Sequence, residues 1–470
     1  MKNVLLRPDD AGTAEKIAFR YYDEDEQQIS IPYRQFWADI RRAAGGLEAR
    51  IGSLQGAHVG LFAKGGYEAL VCAYAVWLSG GVVIPFNTGK APDELAGEIR
   101  RSEAEYFLAD EALMAEQTWL AAQVGEDKLS PLCFVHEDGP DGALHQPEMD
   151  QLSAIIFTSG TTGESKGVSI YWHTLCANAA NFSAYYEQRH CGDIFYCLPI
   201  YHLYGIIVIT TCLLTGRTVF LSDDRRPFPE NLRLSGCDCF PFVPVHVNFI
   251  CKMLQRGKRA DLGKMREVCC AGAPCNAELF DDLTRSGIRL TNYYGLTENG
   301  IGTINLSEDS GVMVRSVGRA FGDTAIRIAD GEILLKGSST MMGYYHDPEA
   351  TAEALEDGWL HTGDLGYLDD EGYLYITGRK KNLIILSGGE NVSPEELEGL
   401  VGACEGVQEV KVMERERKIC AEVFCAPETR QRITDGIERI NKTLPLYKQM
   451  TLVVFRDEPF PKTGSGKIKR

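Results

Sequence analysis

The sequence predicts an α/β protein built on largely parallel sheets, followed by an antiparallel β unit and a smaller C-terminal α+β piece. Three observations predict this. Short apolar strands alternate with helical periodicity through the first and middle parts of the chain. From about residue 315 the pattern changes to short alternating segments separated by Gly and Asp turns. After Arg379-Lys380-Lys381 a separate segment runs from 382 to 470. At 470 residues the chain exceeds one hydrophobic core, so two or more domains are expected.

Taken in order, Trp37, Ile40, Ala44, Leu47 and Ile51 recur at spacings of three and four, which makes an amphipathic helix. Val59-Gly60-Leu61-Phe62 reads as a strand, Val71 to Leu78 as helix, and Val82-Val83-Ile84-Pro85 as the next strand. Further strands are expected at Asp193–Leu198, Thr218–Leu221, Val268–Ala271 and Arg289–Tyr293. The antiparallel unit takes Ile326-Arg327-Ile328, Glu332-Ile333-Leu334-Leu335 and Tyr373-Leu374-Tyr375-Ile376. In the last segment Ser393-Pro394-Glu395-Glu396 opens a helix, with Ser as cap and Pro in the first turn.

A net charge of −18 argues against non-specific nucleic-acid binding and against anionic lipid, both of which need a basic surface. Fifteen cysteines without regular spacing read as reduced thiols rather than a disulfide framework. Neither Cys237-Asp238-Cys239 nor Cys269-Cys270 with Cys275 has the spacing of a zinc site, so packing is their expected role. The N-terminal residues lack a signal peptide's apolar core, and the run Ile206 to Leu214 is too short to span a bilayer. A cytoplasmic protein without a membrane span is expected.

The chemistry begins at Phe157-Thr158-Ser159-Gly160-Thr161-Thr162-Gly163-Glu164-Ser165-Lys166-Gly167. The apolar run Ala154-Ile155-Ile156-Phe157 reads as a buried strand emptying into a loop of glycines, hydroxyls and one Lys. Glycines let backbone approach an anion, and successive N–H groups make a nest for it. The bland alternative is a flexible linker. A Walker A loop is excluded, because Ser165 stands where its second Gly belongs and Gly167 follows Lys166. The pair Gly466-Lys467 fails the same test, with Pro461 and Ile468 at the defining positions.

Downstream come Pro199-Ile200-Tyr201-His202-Leu203-Tyr204-Gly205, Ala271-Gly272-Ala273-Pro274, Tyr294-Gly295-Leu296-Thr297-Glu298 and Thr362-Gly363-Asp364. Gly378-Arg379-Lys380-Lys381, Ser387-Gly388-Gly389-Glu390-Asn391 and Pro461-Lys462-Thr463-Gly464-Ser465-Gly466-Lys467 complete the set. In this order, over nearly the whole chain, these motifs resemble the adenylate-forming superfamily, which includes acyl-CoA synthetases, peptide-synthetase adenylation domains and firefly luciferase. The branch most similar is the AMP-binding acyl- and aryl-CoA synthetases, acid–thiol ligases of fatty or aromatic acid metabolism.

The resemblance implies a large N-terminal adenylation domain, residues 1–378, with parallel-type sheets and a β-barrel-like subdomain. It implies a hinge at 379–381, centred on Lys381, and a small mobile α+β domain at 382–470. Such enzymes join a carboxylate to the α-phosphate of ATP, release pyrophosphate and pass the acyl group to a thiol. Thr158, Ser159, Gly160, Thr161, Thr162, Gly163 and Lys166 are then expected on the β- and γ-phosphates. Ser165 stands where the family usually has Pro.

Glu298 is the implied Mg²⁺ ligand, a hard carboxylate for a hard cation. Thr297 is implied as a phosphate contact, Asp364 as the ribose acceptor and Arg379 as its support. Ala271, Gly272, Ala273, Asn292, Tyr293 and Tyr294 form the implied adenine slot. Lys467 is implied to bridge the substrate carboxylate and the α-phosphate. Together with Glu298, Thr297, His202 and Lys166 it makes the catalytic set.

The acid pocket is expected from Tyr201, His202, Tyr204, Val243, Pro244, Gly295, Gly300 and Ile301; Val243 and Pro244 read equally as ordinary core. Amino-acid-activating relatives carry an Asp soon after the His202 motif to meet the substrate ammonium. Leu203 to Val208 holds no acid, so an aryl or aliphatic carboxylic acid is expected. Gly388 and Gly389 resemble the stretch that lets pantetheine pass in CoA ligases, so CoA is expected, with the phosphopantetheine of an acyl carrier protein as the alternative. With the chain ending three residues past Lys467, a stand-alone ligase is expected. A catalytically silent nucleotide binder is the reading from another class; nothing selects luciferase-like oxidation.

Overall fold

The structure is a computed structural model that describes residues 12–23, 25–137, 139–159, 164–222, 226–271, 277–386, 390–462 and 468. The chain divides into two units, Met1–Ile326 with Leu335–Leu360, and Arg327–Leu334 with His361–Arg470.

In the first unit, a nine-stranded sheet runs Arg319–Ala320, Gly300–Asn305, Arg289–Leu296, Glu267–Ala271, Cys239–Phe242, Ile194–Tyr196, Val219–Leu221, Ile17–Tyr22, Gln28–Pro32. The strands from Arg289–Leu296 to Ile17–Tyr22 pair in parallel, and antiparallel strands close both edges. A six-stranded sheet follows the order Leu129–Pro131, Tyr106–Ala109, His58–Phe62, Val82–Pro85, Leu152–Ser159, Ser165–Tyr171. It is parallel except for its last pair.

The helix Tyr67–Leu78 buries every residue but Glu68, as a helix apolar on all sides must. Its side chains share one core with residues of both sheets and of the helices Trp172–Gln188 and Leu203–Thr215. That last helix is the apolar run read from Ile206 to Leu214. Among the described residues no helix is long and apolar enough to cross a membrane.

Most elements read from sequence are present, among them Val82–Pro85 as a strand and Tyr33–Ile51 as the first helix. One boundary is corrected. The stretch Thr158 to Gly167 is not a single open loop, because Leu152–Ser159 and Ser165–Tyr171 pair antiparallel. Thr158 stands opposite Lys166 and Ser159 opposite Ser165. The reason lies beyond Gly167, where Val168 and Ile170 are fully buried and extend the pairing as far as Ser159 and Ser165. Thr158 and Lys166 are therefore strand residues.

Five strands, Ala325–Ala329, Glu332–Lys336, Leu355–Glu356, Trp359–Leu368 and Leu374–Arg379, make a further sheet. In the second unit, Val407–Arg415, Lys418–Cys425 and Leu452–Arg456 form a three-stranded sheet beside the helices Pro394–Gly402 and Arg430–Asn441. Leu397, Val401, Val412, Ala421, Ile433 and Ile437 fill its core. Ser393 caps the first of these helices, accepting from the Glu396 amide at 3.4 Å, with Pro394 in the first turn.

Candidate active site

The hairpin holds Lys166 against a tyrosine that lies far along the chain. The Lys166 Nζ sits 5.0 Å from the ring centroid of Tyr344. The Tyr344 hydroxyl donates to Glu298 Oε1 at 2.9 Å. Burial, then the Glu298 charge, pushes the Tyr344 hydroxyl well above its ordinary range, so it stays a donor. Glu298 follows Thr297 in the turn between the strands Arg289–Leu296 and Gly300–Asn305. Glu298 is half-buried, and among the described residues no cation forms an ion pair with it.

Beside this group, the carboxyl ends of adjacent parallel strands carry the expected substrate residues. Such ends are where open α/β sheets bind ligands. Val243 and Pro244 follow Cys239–Phe242, Ala271 ends Glu267–Ala271, and Gly295 lies near the end of Arg289–Leu296. Ala271, Tyr293 and Ile301 share the core against which Tyr204 and Val243 pack. Tyr201 and His202 precede the helix Leu203–Thr215, their rings 4.9 Å apart, with His202 exposed. The Tyr204 ring lies 6.2 Å from that of Tyr293, which stacks edge-on against Phe182 at 5.2 Å.

Gly295 admits no side chain, since a Cβ there would lie 1.9 Å from the Gly300 carbonyl oxygen. Gly300 has φ +66°, and the Asn178 side chain fills the space where its Cβ would go. Asn178 accepts from the Ile301 amide at 3.2 Å and donates to the Thr174 carbonyl at 2.9 Å. It thus fixes the turn from inside the helix Trp172–Gln188. Sequence reasoning missed it, because an Asn in mid-helix carries no signal of what it reaches.

In the second unit, Asp364 and Arg379 face each other across the strands Trp359–Leu368 and Leu374–Arg379. Arg379 Nε donates to Asp364 Oδ1 at 2.5 Å, and Asp364 is 5% exposed. The backbone before it is held by Glu332, which accepts from the Gly363 amide at 3.0 Å, Lys380 Nζ at 3.1 Å and His361 Nδ1 at 3.3 Å. Burial alone would raise the Glu332 carboxyl, but the His361 and Lys380 bonds outweigh it and hold it below the usual value. Lys381 is exposed in the turn Lys380–Asn382.

The family model described as AMP-binding enzyme matches residues 7–345. The chain belongs to the AMP-binding enzymes. It is 28% identical to a 2-succinylbenzoate–CoA ligase of Listeria innocua over 460 residues, which cover 93% of this chain and 92% of the relative. It is 30% identical to an indoleacetate–CoA ligase of Aromatoleum aromaticum over 499 residues, which cover 97% and 94%. Its fold is similar to ATP-bound MatB from Rhodopseudomonas palustris, with a TM-score of 0.86 and 26% identity over 99% of this chain and 96% of that one.

Within an AMP-binding enzyme the described residues fit the groups expected. Glu298 offers a half-buried carboxylate with one oxygen engaged by a neutral donor, which suits a magnesium ion. Asn292 is 2% exposed and its side-chain oxygen has no partner among the described residues, leaving an acceptor for a donor such as an adenine amine. Tyr294 is buried on the same strand, and Thr297 is half-buried in the turn. Gly160, Thr161, Thr162, Gly163, Gly272, Ala273, Gly388, Gly389 and Lys467 lie outside the described residues. Neither Tyr344 nor Glu332 was read from the sequence as a site residue; Glu332 was read only as part of a strand. The signal for Tyr344 was the aromatic pair Tyr344-Tyr345 between Gly343 and the Asp347-Pro348 helix start.

Proposed function

We propose that this AMP-binding enzyme is an ATP-dependent acid–thiol ligase acting on a plain carboxylic acid and CoA. In the first half-reaction a carboxylate oxygen attacks the α-phosphorus of ATP and pyrophosphate leaves, giving acyl-AMP. In the second a thiol sulfur attacks the acyl carbon, AMP leaves and the thiol proton passes to water. The observation that carries this reading is that Tyr344 meets both Lys166 of the Gly-rich hairpin, through its ring, and Glu298, through its hydroxyl, while no cation among the described residues forms an ion pair with that carboxylate. Among the described residues expected to line the acid pocket, none is an acid that could meet a substrate ammonium.

Roles follow from the chemistry of each group. Lys166 and the hairpin, with Thr158 and the backbone of Ser159, hold the leaving pyrophosphate; Thr297 contacts phosphate. Glu298 holds Mg²⁺, which offsets phosphate charge when bound. Asp364, steadied by Arg379, receives the ribose hydroxyls. Lys467 bridges the carboxylate and the α-phosphate, and Gly388 and Gly389 leave room for pantetheine. Lys381 is the hinge of a mobile segment, 382–470, that follows an adenylation domain of residues 1–378. CoA is the proposed acceptor over a carrier protein, and the cysteine usage supports a cytoplasmic location.

ATP–pyrophosphate exchange with a panel of aryl, aliphatic and amino acids tests the reading. Exchange with aryl or aliphatic acids is expected, and none with amino acids. No exchange with any acid would overturn it. The acid that supports exchange is then offered with CoA and with a holo carrier protein, and thioester on CoA is expected.

A further inference from the structure

We propose that Tyr344 is a positioning residue for adenylation, whose hydroxyl orients the Glu298 carboxylate while its ring seats the Lys166 ammonium. This rests on the ligase reading above. The hydroxyl donates to Glu298 Oε1 at 2.9 Å, and the ring centroid lies 5.0 Å from Lys166 Nζ.

The backbone leaves this tyrosine little freedom. Its amide donates to Thr351 Oγ1 at 2.9 Å, and Tyr344 forms a bridge with Val168. On either side, Tyr345 N donates to the Gly167 carbonyl at 2.7 Å and Ser169 N to the Gly343 carbonyl at 3.1 Å. Met341 N donates to the Glu298 carbonyl at 2.7 Å. One short segment, 341–345, is thus stitched both to the strand carrying Lys166 and to the turn carrying Glu298.

A tyrosine suits this place for a physical reason. A bare ammonium beside a bare carboxylate would form an ion pair, neutralising both groups and withdrawing them from ligands. Tyr344 stands between them as a neutral spacer. Its O–H occupies one carboxylate oxygen without adding charge, leaving the other for a cation. Its ring face attracts the ammonium without using any of the three N–H donors, which stay available to phosphate. The device keeps two opposite charges close, oriented and uncombined.

The test uses the full chain, with Tyr344→Phe, Tyr344→Leu and Glu298→Gln. Mn²⁺ binding to the ATP complex is read by electron paramagnetic resonance, and melting temperature is read beside it. Tyr344→Phe keeps the ring and should raise the Mn²⁺ concentration for half-saturation about tenfold, the loss of one hydrogen bond to a charge. ATP binding without metal should be unchanged in Tyr344→Phe and weakened in Tyr344→Leu, which also loses the ring under Lys166. Tyr344→Phe combined with Glu298→Gln should bind metal no worse than Glu298→Gln alone.

Metal affinity within about twofold of wild type in Tyr344→Phe, or additive losses in the double variant, would overturn the proposal. Because the double-variant comparison is between two chains lacking the carboxylate, it holds even if Tyr344→Phe melts early. The ligase reading fails separately, if wild type supports no pyrophosphate exchange.

Discussion

Glu332→Gln removes the charge that gathers three donors beneath the Thr362-Gly363-Asp364 stretch. Glu332 is 6% exposed, so its bonds are sheltered on the carboxylate side. The Lys380 side chain is 65% exposed, and a pair with one partner in water is worth about 1 kcal/mol or less. The His361 side chain is 28% exposed and contributes a further ~1 kcal/mol, and the Gly363 amide bond to a charged acceptor another ~1–2 kcal/mol. The amide of Gln keeps one acceptor but turns a donor toward a donor, so a loss of about 2–3 kcal/mol is expected.

Gly363 has φ +69° and precedes the carboxylate proposed to receive the ribose. Loosening it should therefore raise KM for ATP about tenfold, equivalent to ~1.4 kcal/mol of lost binding. The assay is ATP-dependent pyrophosphate exchange under varied ATP, with calorimetric melting beside it. The pH dependence has a definite sign. The folded carboxyl titrates below its unfolded value, so its contribution is present above the ordinary glutamate range and is lost as pH falls through the folded value. The difference in melting temperature between wild type and Glu332→Gln should shrink toward pH 4 and be full at pH 7. Unchanged melting and unchanged KM at pH 7 would refute the reasoning.

Two further outcomes are expected. Lys467→Ala should abolish acyl-adenylate formation while largely sparing thioester formation from pre-made adenylate; equal loss of both half-reactions would contradict its role. Burial among Phe228 and Phe242 pushes His246 down to about 4, below its unfolded value near 6.5. The unfolded chain takes up the proton first, so stability present above about pH 6.5 falls by up to ~3 kcal/mol as pH drops through 4. His246→Gln should narrow the gap in melting temperature between pH 7.5 and pH 5, and an unaltered gap would count against the account.

Much of the fold was legible because local patterns decide it. The apolar run Val82–Pro85 can only be a buried strand, and Ser393-Pro394 sets a helix start by capping chemistry alone. The hairpin was misjudged because Gly and Thr around Lys166 outweighed the alternating Val168 and Ile170 that extend the pairing. The family was legible as a set of spaced motifs. Their supports were not. Tyr344 meets Glu298 from 46 residues away, and Glu332 meets His361 and Lys380 from 29 and 48 away. No local spacing encodes contacts of that range, and Asn178 sits in its helix like any polar residue until the fold brings Gly300 against it.

The central claim is that the acid is activated as an acyl-adenylate. It is tested most directly by running the reaction with a carboxylate labelled with ¹⁸O on both oxygens and weighing the products. Attack of the carboxylate on the α-phosphorus leaves one labelled oxygen bridging to AMP, so released AMP should carry a single ¹⁸O and pyrophosphate none. Label in inorganic phosphate, with ADP as the nucleotide product, would mean transfer of the terminal phosphoryl group and would contradict the account.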